Sequence, residues 1–312
     1  MTDQNPNFRE DVQAFLAMVN SLPAPDALVP EEQREGYRAM KLMVEADPRD
    51  LAVIKDLSCP GPAGEIPLRF YDVRAERGPS PVILFFHGGG YVIGDLDTHN
   101  SLCTELSAEL DLPVLAVHYR LAPEHPFPAA PDDCEAAARW LAGSPAELGR
   151  SVTGLVTIGG SAGGNLATVT ARALCDKPAA APMLLQVLLY PATDESQDGS
   201  MKTFGENHLL TSVVMDWFYD LYKPESGNQR AFPLHASAAG MCPSIVVTAG
   251  LDVLQDQGRR MADKLVEAGV DTVYLHMAGL THDFTTTRKA LPSAAAAVAK
   301  IIAAMKLMLM KV

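Results

Sequence analysis

The sequence is short of positive charge: 25 Lys and Arg stand against 38 Asp and Glu, a formal net charge of −13. So acidic a chain lacks the clustered cations that a sequence-independent hold on nucleic acid or on acidic membranes requires, so neither is expected as a partner. Cysteine is scarce as well. Cys59, Cys103, Cys134, Cys175 and Cys242 are an odd number without paired spacing. This argues against a disulfide framework or a zinc site and for a reducing, cytoplasmic setting. The histidines show no His-Glu-x-x-His or comparable ligand spacing, so no metal is expected. Met1 to Asn7 is polar and lacks the basic flank and apolar run of a signal peptide. The apolar stretch Ala294 to Met310 is interrupted by Lys300 and Lys306. It falls short of the ~20 residues that a membrane span needs, so it reads as a docked helix and no membrane insertion is expected.

What is present is enough apolar material for a large core. With 312 residues, 48% of them hydrophobic, the chain suits one α/β domain with an elaboration. Phe8, Val12, Phe15, Leu16 and Val19 share a helical face over Phe8 to Asn20, and Tyr37, Met40 and Val44 do so over Glu31 to Glu45. Leu22-Pro23-Ala24-Pro25 breaks the pattern between them. Strand signals follow at Leu51 to Leu57, Ile66 to Val73, Pro81 to Phe86, Pro113 to Tyr119, Gly154 to Ile158, Leu184 to Leu189, Ser244 to Ala249 and Thr272 to His276. The first two are joined by a link too short for a crossover and should pair antiparallel. From Pro81 onward strands alternate with helices (Thr98 to Leu110, Pro131 to Leu141, Leu166 to Leu174), the pattern of right-handed βαβ units in a parallel sheet. Residues 192–240 break the alternation with an aromatic-bearing helix at Val213 to Tyr222, an insertion that could join the two N-terminal helices as a cap.

The chain is organised around Gly159-Gly160-Ser161-Ala162-Gly163, which lies between a short β-branched run and a helix. In that context Gly-x-Ser-x-Gly is a nucleophile elbow, a turn that lifts a serine hydroxyl above the sheet edge and tolerates only tiny neighbours. The spacing fits neither a Gly-Lys-Ser/Thr phosphate loop nor G-x-G-x-x-G. His87-Gly88-Gly89-Gly90 ends an earlier strand and leaves backbone amides bare, as an oxyanion hole needs. A serine hydroxyl is a poor nucleophile at neutral pH, so Ser161 needs a base and an acid to orient it. With the order serine, acid, histidine of the α/β-hydrolase arrangement, Asp252 lies in the loop directly after its strand, ahead of Asp256, which is a helical turn further on. His282 follows the last strand; His276 sits within a strand, and His208 and His235 fall in the insertion.

These motifs, with Tyr119-Arg120-Leu121-Ala122-Pro123-Glu124, Phe127-Pro128-Ala129-Ala130, Ser161 to Ala167 and Tyr190-Pro191, resemble the bacterial hormone-sensitive-lipase family of esterases from about Leu51 to His282. The resemblance implies an α/β-hydrolase fold, with an eight-stranded, mostly parallel sheet, helices on both faces and a helical cap. It divides the chain into N-terminal cap helices (1–50), a catalytic domain (51–191 and 241–312) and an inserted cap segment (192–240). It implies a serine carboxylesterase for small-molecule esters of short to medium acyl chain, without a cofactor and often a homodimer. By resemblance Ser161, Asp252 and His282 are nucleophile, acid and base, the N–H groups of Gly88, Gly89 and Ala162 are oxyanion donors, and Glu124 is a buried acid that pins loops. Tyr91, Trp217, Phe218 and Phe284 are candidates to line the acyl pocket. The sequence departs from the family's pattern at Gly160, where aspartate is common and whose side-chain contact is expected to be missing, at Val253 for proline, and at Asp283, a carboxylate beside His282 in place of glycine. The motifs describe attack on a carbonyl, so a lactonase or amidase would use the same residues. A non-catalytic binding protein on this fold would be expected to lose the serine or the histidine.

Overall fold

The computed structural model describes residues 9–22, 27–197 and 199–311; Phe8 and the break at Pro23 to Pro25 lie outside them. Both N-terminal helices form where the apolar spacing predicts. α1 (Glu10–Asn20) buries Val12, Phe15 and Leu16, and α2 (Pro30–Val44) buries Val44 together with Lys41, a charge on a face that reads as apolar.

β1 (Val53–Gly61) and β2 (Gly64–Asp72) form an antiparallel hairpin, and β2 pairs antiparallel with β4 (Val114–Val117). With β3 (Ser80–Phe86), β5 (Val152–Gly160), β6 (Met183–Leu189), β7 (Ser244–Leu251) and β8 (Thr272–Thr281), they make one eight-stranded sheet in the order β1-β2-β4-β3-β5-β6-β7-β8. Every pairing from β4 to β8 is parallel. The central strands are apolar on both faces because helices cover both. Along β3, Val82, Leu84 and Phe86 join a cluster with α4 (Ala129–Ala142), α5 (Ala162–Asp176) and α8 (Gln255–Glu267). Ile83 and Phe85 point the other way, into a cluster with α1, α3 (Asn100–Leu110) and α9 (Pro292–Leu309).

The insertion contributes the one-turn α6 (Ser200–Thr203) and α7 (Ser212–Tyr222), whose Met215, Phe218 and Tyr222 pack on the first cluster. By length and mean hydropathy, 18 residues at 1.5, α9 is apolar enough to cross a membrane, contrary to the expectation that the stretch falls short. Here it is docked: Ala294, Ala297, Val298, Ile301, Ile302, Met305 and Met308 are buried. The consequence of this architecture for function is that β3, β5, β7 and β8 all end at one edge of the sheet, the edge at which open α/β sheets bind ligands.

Candidate active site

β5 stops at Gly160 and α5 begins at Ala162, leaving Ser161 alone at the turn with φ 57° and ψ −120°. A non-glycine residue in that region costs on the order of 1–3 kcal/mol, so its surroundings must hold it there. They do so through the main chain. Ser161 N–H donates to Leu189 O at 2.9 Å, and Ser161 O accepts from Asn165 N at 3.1 Å and Ala192 N at 3.2 Å. The flanking glycines are required by contact: a Cβ on Gly163 would lie 2.0 Å from Phe86 O, and one on Gly159 would lie 2.3 Å from Gly163 O. Gly160 does not leave the expected gap. A Cβ there would meet the Tyr190 ring at 2.9 Å, so a buried tyrosine fills the space that an aspartate would use.

Asp252 and His282 are neighbours because of strand register. Leu251 pairs with Thr281, so the residues that follow them leave adjoining strands side by side. His282 Nδ1 lies 2.8 Å from Asp252 Oδ2, both side chains buried, and Asp252 Oδ1 accepts from Leu254 N at 2.9 Å. Against an ionised carboxylate Nδ1 carries the proton, which leaves the Nε2 lone pair for a substrate-side partner. The competing residues are engaged elsewhere. Asp256 accepts from Ser200 N at 2.8 Å, His276 Nδ1 faces Thr248 Oγ1 at 3.0 Å, and His235 Nε2 faces Glu195 Oε1 at 3.2 Å. His208 Nδ1 faces Glu206 O at 2.6 Å. No hydrogen bond joins Ser161 Oγ to His282 among the described residues; Tyr190 packs on Gly160, the residue before the serine, with its ring centroid 4.8 Å from the imidazole. Serine–histidine hydrogen bonds are often long or misaligned without substrate.

Asp283 turns its carboxylate away from His282. It binds Lys41 Nζ at 2.6 Å and the Tyr37 hydroxyl at 2.8 Å, with Thr286 completing the group. Burial pushes this carboxyl up, but the Lys41 ammonium and the neighbouring histidines outweigh it and hold the group at about 2.

The loop after β3 is fixed peptide by peptide. The Tyr119 hydroxyl donates to His87 O at 2.8 Å, and its single proton is thereby committed. His87 Nδ1 is therefore the donor to Gly88 O, also at 2.8 Å. In a trans peptide the N–H opposes the C=O, so the Gly89 N–H points away from His87. Gly89 and Gly90 N–H find no acceptor among the described residues, whereas Gly88 N–H meets His99 Nε2 at 3.3 Å. The fold-back needs Gly94, with φ 90°, where a Cβ would lie 2.4 Å from Gly88 O. A Cβ on Gly88 would come within 3.7 Å of Ser161 Cβ, so the bare amides adjoin the elbow.

The aromatic candidates divide. Phe284 has no exposed surface and Tyr91 only 2%, stacked 3.7 Å from Tyr222, so both are core residues; the expectation that they line a pocket is corrected. Phe218 lies against Gly90, where a Cβ would strike its ring at 2.2 Å, and Trp217 next to it is partly buried. Glu124 is corrected too: its side chain is 52% exposed, and it pins α2 to the loop through Arg34 at 2.7 Å. Lys41 carried no sequence signal, because its partner Asp283 is 242 positions away in the chain; Tyr190 stood in the sequence only as part of the Tyr190-Pro191 motif, and His99 in no motif at all.

Comparison with known proteins gives the family and the fold. Residues 83–286 match the family described by the α/β-hydrolase fold. The chain is 38% identical over 300 residues to the carboxylic ester hydrolase LipN of Mycobacterium tuberculosis, covering 92% of this chain and 80% of that protein. It is 35% identical over 290 residues to an ethyl acetate hydrolase of Pseudomonas putida, covering 88% and 91%. It superposes with TM-score 0.89 and 35% identity on an ester hydrolase from the metagenome of Lake Arreo, solved with a bipyridine phosphonate derivative, covering 96% of this chain and 98% of that one. The chain thus belongs to the α/β-hydrolase fold family, among its hormone-sensitive-lipase-like carboxylic ester hydrolases.

Proposed function

We propose that the protein is a serine carboxylesterase acting on short- to medium-chain esters, with Ser161 as nucleophile, His282 as base and Asp252 as the acid that orients it. His282 Nε2 takes the hydroxyl proton as Ser161 Oγ attacks the carbonyl. The N–H groups of Gly89 and Ala162 receive the oxyanion; the Gly88 N–H, expected from the resemblance as a third donor, is taken up by His99 Nε2 and is left out. The imidazolium protonates the departing alcohol, and water repeats the cycle on the acyl-enzyme. Residues 1–50 and 192–240 act as the cap, and Trp217 and Phe218 line the acyl side. The observation that carries the reading is the 2.8 Å contact between His282 Nδ1 and Asp252 Oδ2, at strand ends beside a serine held on a strained turn.

The test is hydrolysis of nitrophenyl esters of graded chain length by the parent and by Ser161→Ala. Turnover should fall by about 10⁴ to 10⁶ in the variant, and equal rates would end the proposal. A fluorophosphonate should label the parent at Ser161 and leave the variant unlabelled. The same reading takes the enzyme as cytoplasmic and a homodimer, the latter checked by sedimentation at two protein concentrations.

A further inference from the structure

The oxyanion loop is held from two sides, and one of them lies outside the motifs that define the site. Gly88 N–H, from the peptide ahead of the loop's free amide, is directed at the ring of His99, at the start of α3. His99 is 4% exposed and packed between other rings, with its centroid 5.6 Å from Phe85, 5.8 Å from His87 and 6.4 Å from Tyr37. Its tautomer follows from counting protons. Thr98 Oγ1 accepts from Asp95 N at 2.9 Å and gives its only proton to Asp95 O at 3.0 Å. His99 Nδ1 lies 3.0 Å from the same oxygen, and because the Gly88 N–H is directed at Nε2, a neutral ring carries its proton on Nδ1. That leaves Nε2 as a bare lone pair facing the Gly88 N–H.

We propose that His99 is a positioning residue for ester hydrolysis, whose unprotonated Nε2 holds the Gly88 amide and so sets the plane from which the Gly89 N–H is aimed at the oxyanion. The inference rests on the serine-esterase reading above and adds a residue to it. A cation in this place would present N–H to N–H and push the loop away. Burial keeps the ring neutral, down to about 4, although Asp283 and Asp95 favour the cation and Lys41 opposes it. His99 acts through the loop and touches no substrate atom, so its removal should lower kcat and leave KM alone.

Replacing one oxyanion donor outright costs about 10²–10³ in kcat; misaligning the loop should cost about tenfold or more. We expect His99→Leu to lose that much in kcat on a nitrophenyl ester, with KM within about twofold of the parent. His99→Gln can offer its Oε1 to the same N–H and should recover most of the loss. A leucine variant with parental kcat, or a glutamine variant as impaired as the leucine one, overturns the proposal. ¹⁵N spectroscopy of the parent should find His99 unprotonated at Nε2 and protonated at Nδ1, and the reverse also overturns it, whether or not the leucine variant folds. Each outcome is separable from failure of the esterase reading, which Ser161→Ala decides by itself.

Discussion

At Asp283 one residue has exchanged a backbone convenience for an ion pair. Its φ of 60° is a left-handed conformation that glycine occupies freely and aspartate tolerates better than most residues. The carboxylate is drawn into Lys41, whose side chain is 3% exposed. His282 is therefore hydrogen-bonded to a single carboxylate, Asp252, and the hydrogen bonds of the second acid serve the fold. Removing the lysine alone would strand a buried charge, so Lys41→Met should destabilise the protein by about 3 kcal/mol or more. Lys41→Met with Asp283→Asn should regain much of this, since neither partner is then left as an ion. Urea unfolding of parent, single and double variants decides it; a single variant as stable as the parent would show that the pair contributes nothing. The local part of this site was legible in the sequence and the distant part was not. Ser161 is announced by its own five-residue neighbourhood, Asp252 and His282 by their place just after strands. Lys41 sits on a helix face that reads as apolar, and its partner is 242 positions away, beyond the reach of any periodicity.

The elements meet at glycines whose roles differ sharply, though each is only a glycine in the sequence. Gly163 is where α5 crosses the end of β3: its built Cβ falls 2.0 Å from Phe86 O and 2.6 Å from His87 O. Both obstacles are backbone, so Gly163→Ala must separate helix from strand or bend the turn that carries Ser161. We expect turnover to fall at least about tenfold, since small misplacements of a catalytic group are felt strongly, with a lowered unfolding midpoint. Gly36, in the middle of α2, has nothing within 4 Å of a built Cβ. There the substitution restricts the unfolded chain and suits a helix, so Gly36→Ala should stabilise by about 0.5–1 kcal/mol. Measuring both variants by urea unfolding tests the contrast, and a stabilising Gly163→Ala would refute the close crossing. The strands themselves and the antiparallel first hairpin were readable because period and loop length encode them directly. The fate of the aromatics was not, because hydrophobicity alone does not distinguish Phe284, enclosed behind Tyr190, from Phe218 over Gly90.

Across the whole molecule the pH response should be set first by histidines and only later by acids. Buried His87 and His99 and half-buried His118 lie in one group, with the ring centroids of the latter two 5.8 and 6.0 Å from His87. Burial holds all three below the usual imidazole value, His87 far below and His99 down to about 4. A group whose folded value is depressed contributes stability that is complete above its unfolded value, 6.5 here, and is lost as pH falls toward the folded one. For His99 alone the loss by pH 4 is about 3 kcal/mol, from the difference between 6.5 and 4 at 1.36 kcal/mol per unit. Asp283, at about 2 against 3.8, keeps its contribution until the pH drops below 3.8. Glu45 has the opposite sign: burial raises its carboxyl despite Arg288, so it gains stability as pH falls through its own range. The histidine group outweighs one such carboxyl, so unfolding free energy should decline between about pH 6.5 and 4, with protons taken up on unfolding. Urea unfolding at pH 7, 6, 5 and 4 should show that slope in the parent and a shallower one in His99→Gln. Equal stability at pH 7 and 4.5 would mean that these rings are protonated in the fold, and that the neutral His99 facing Gly88 does not exist.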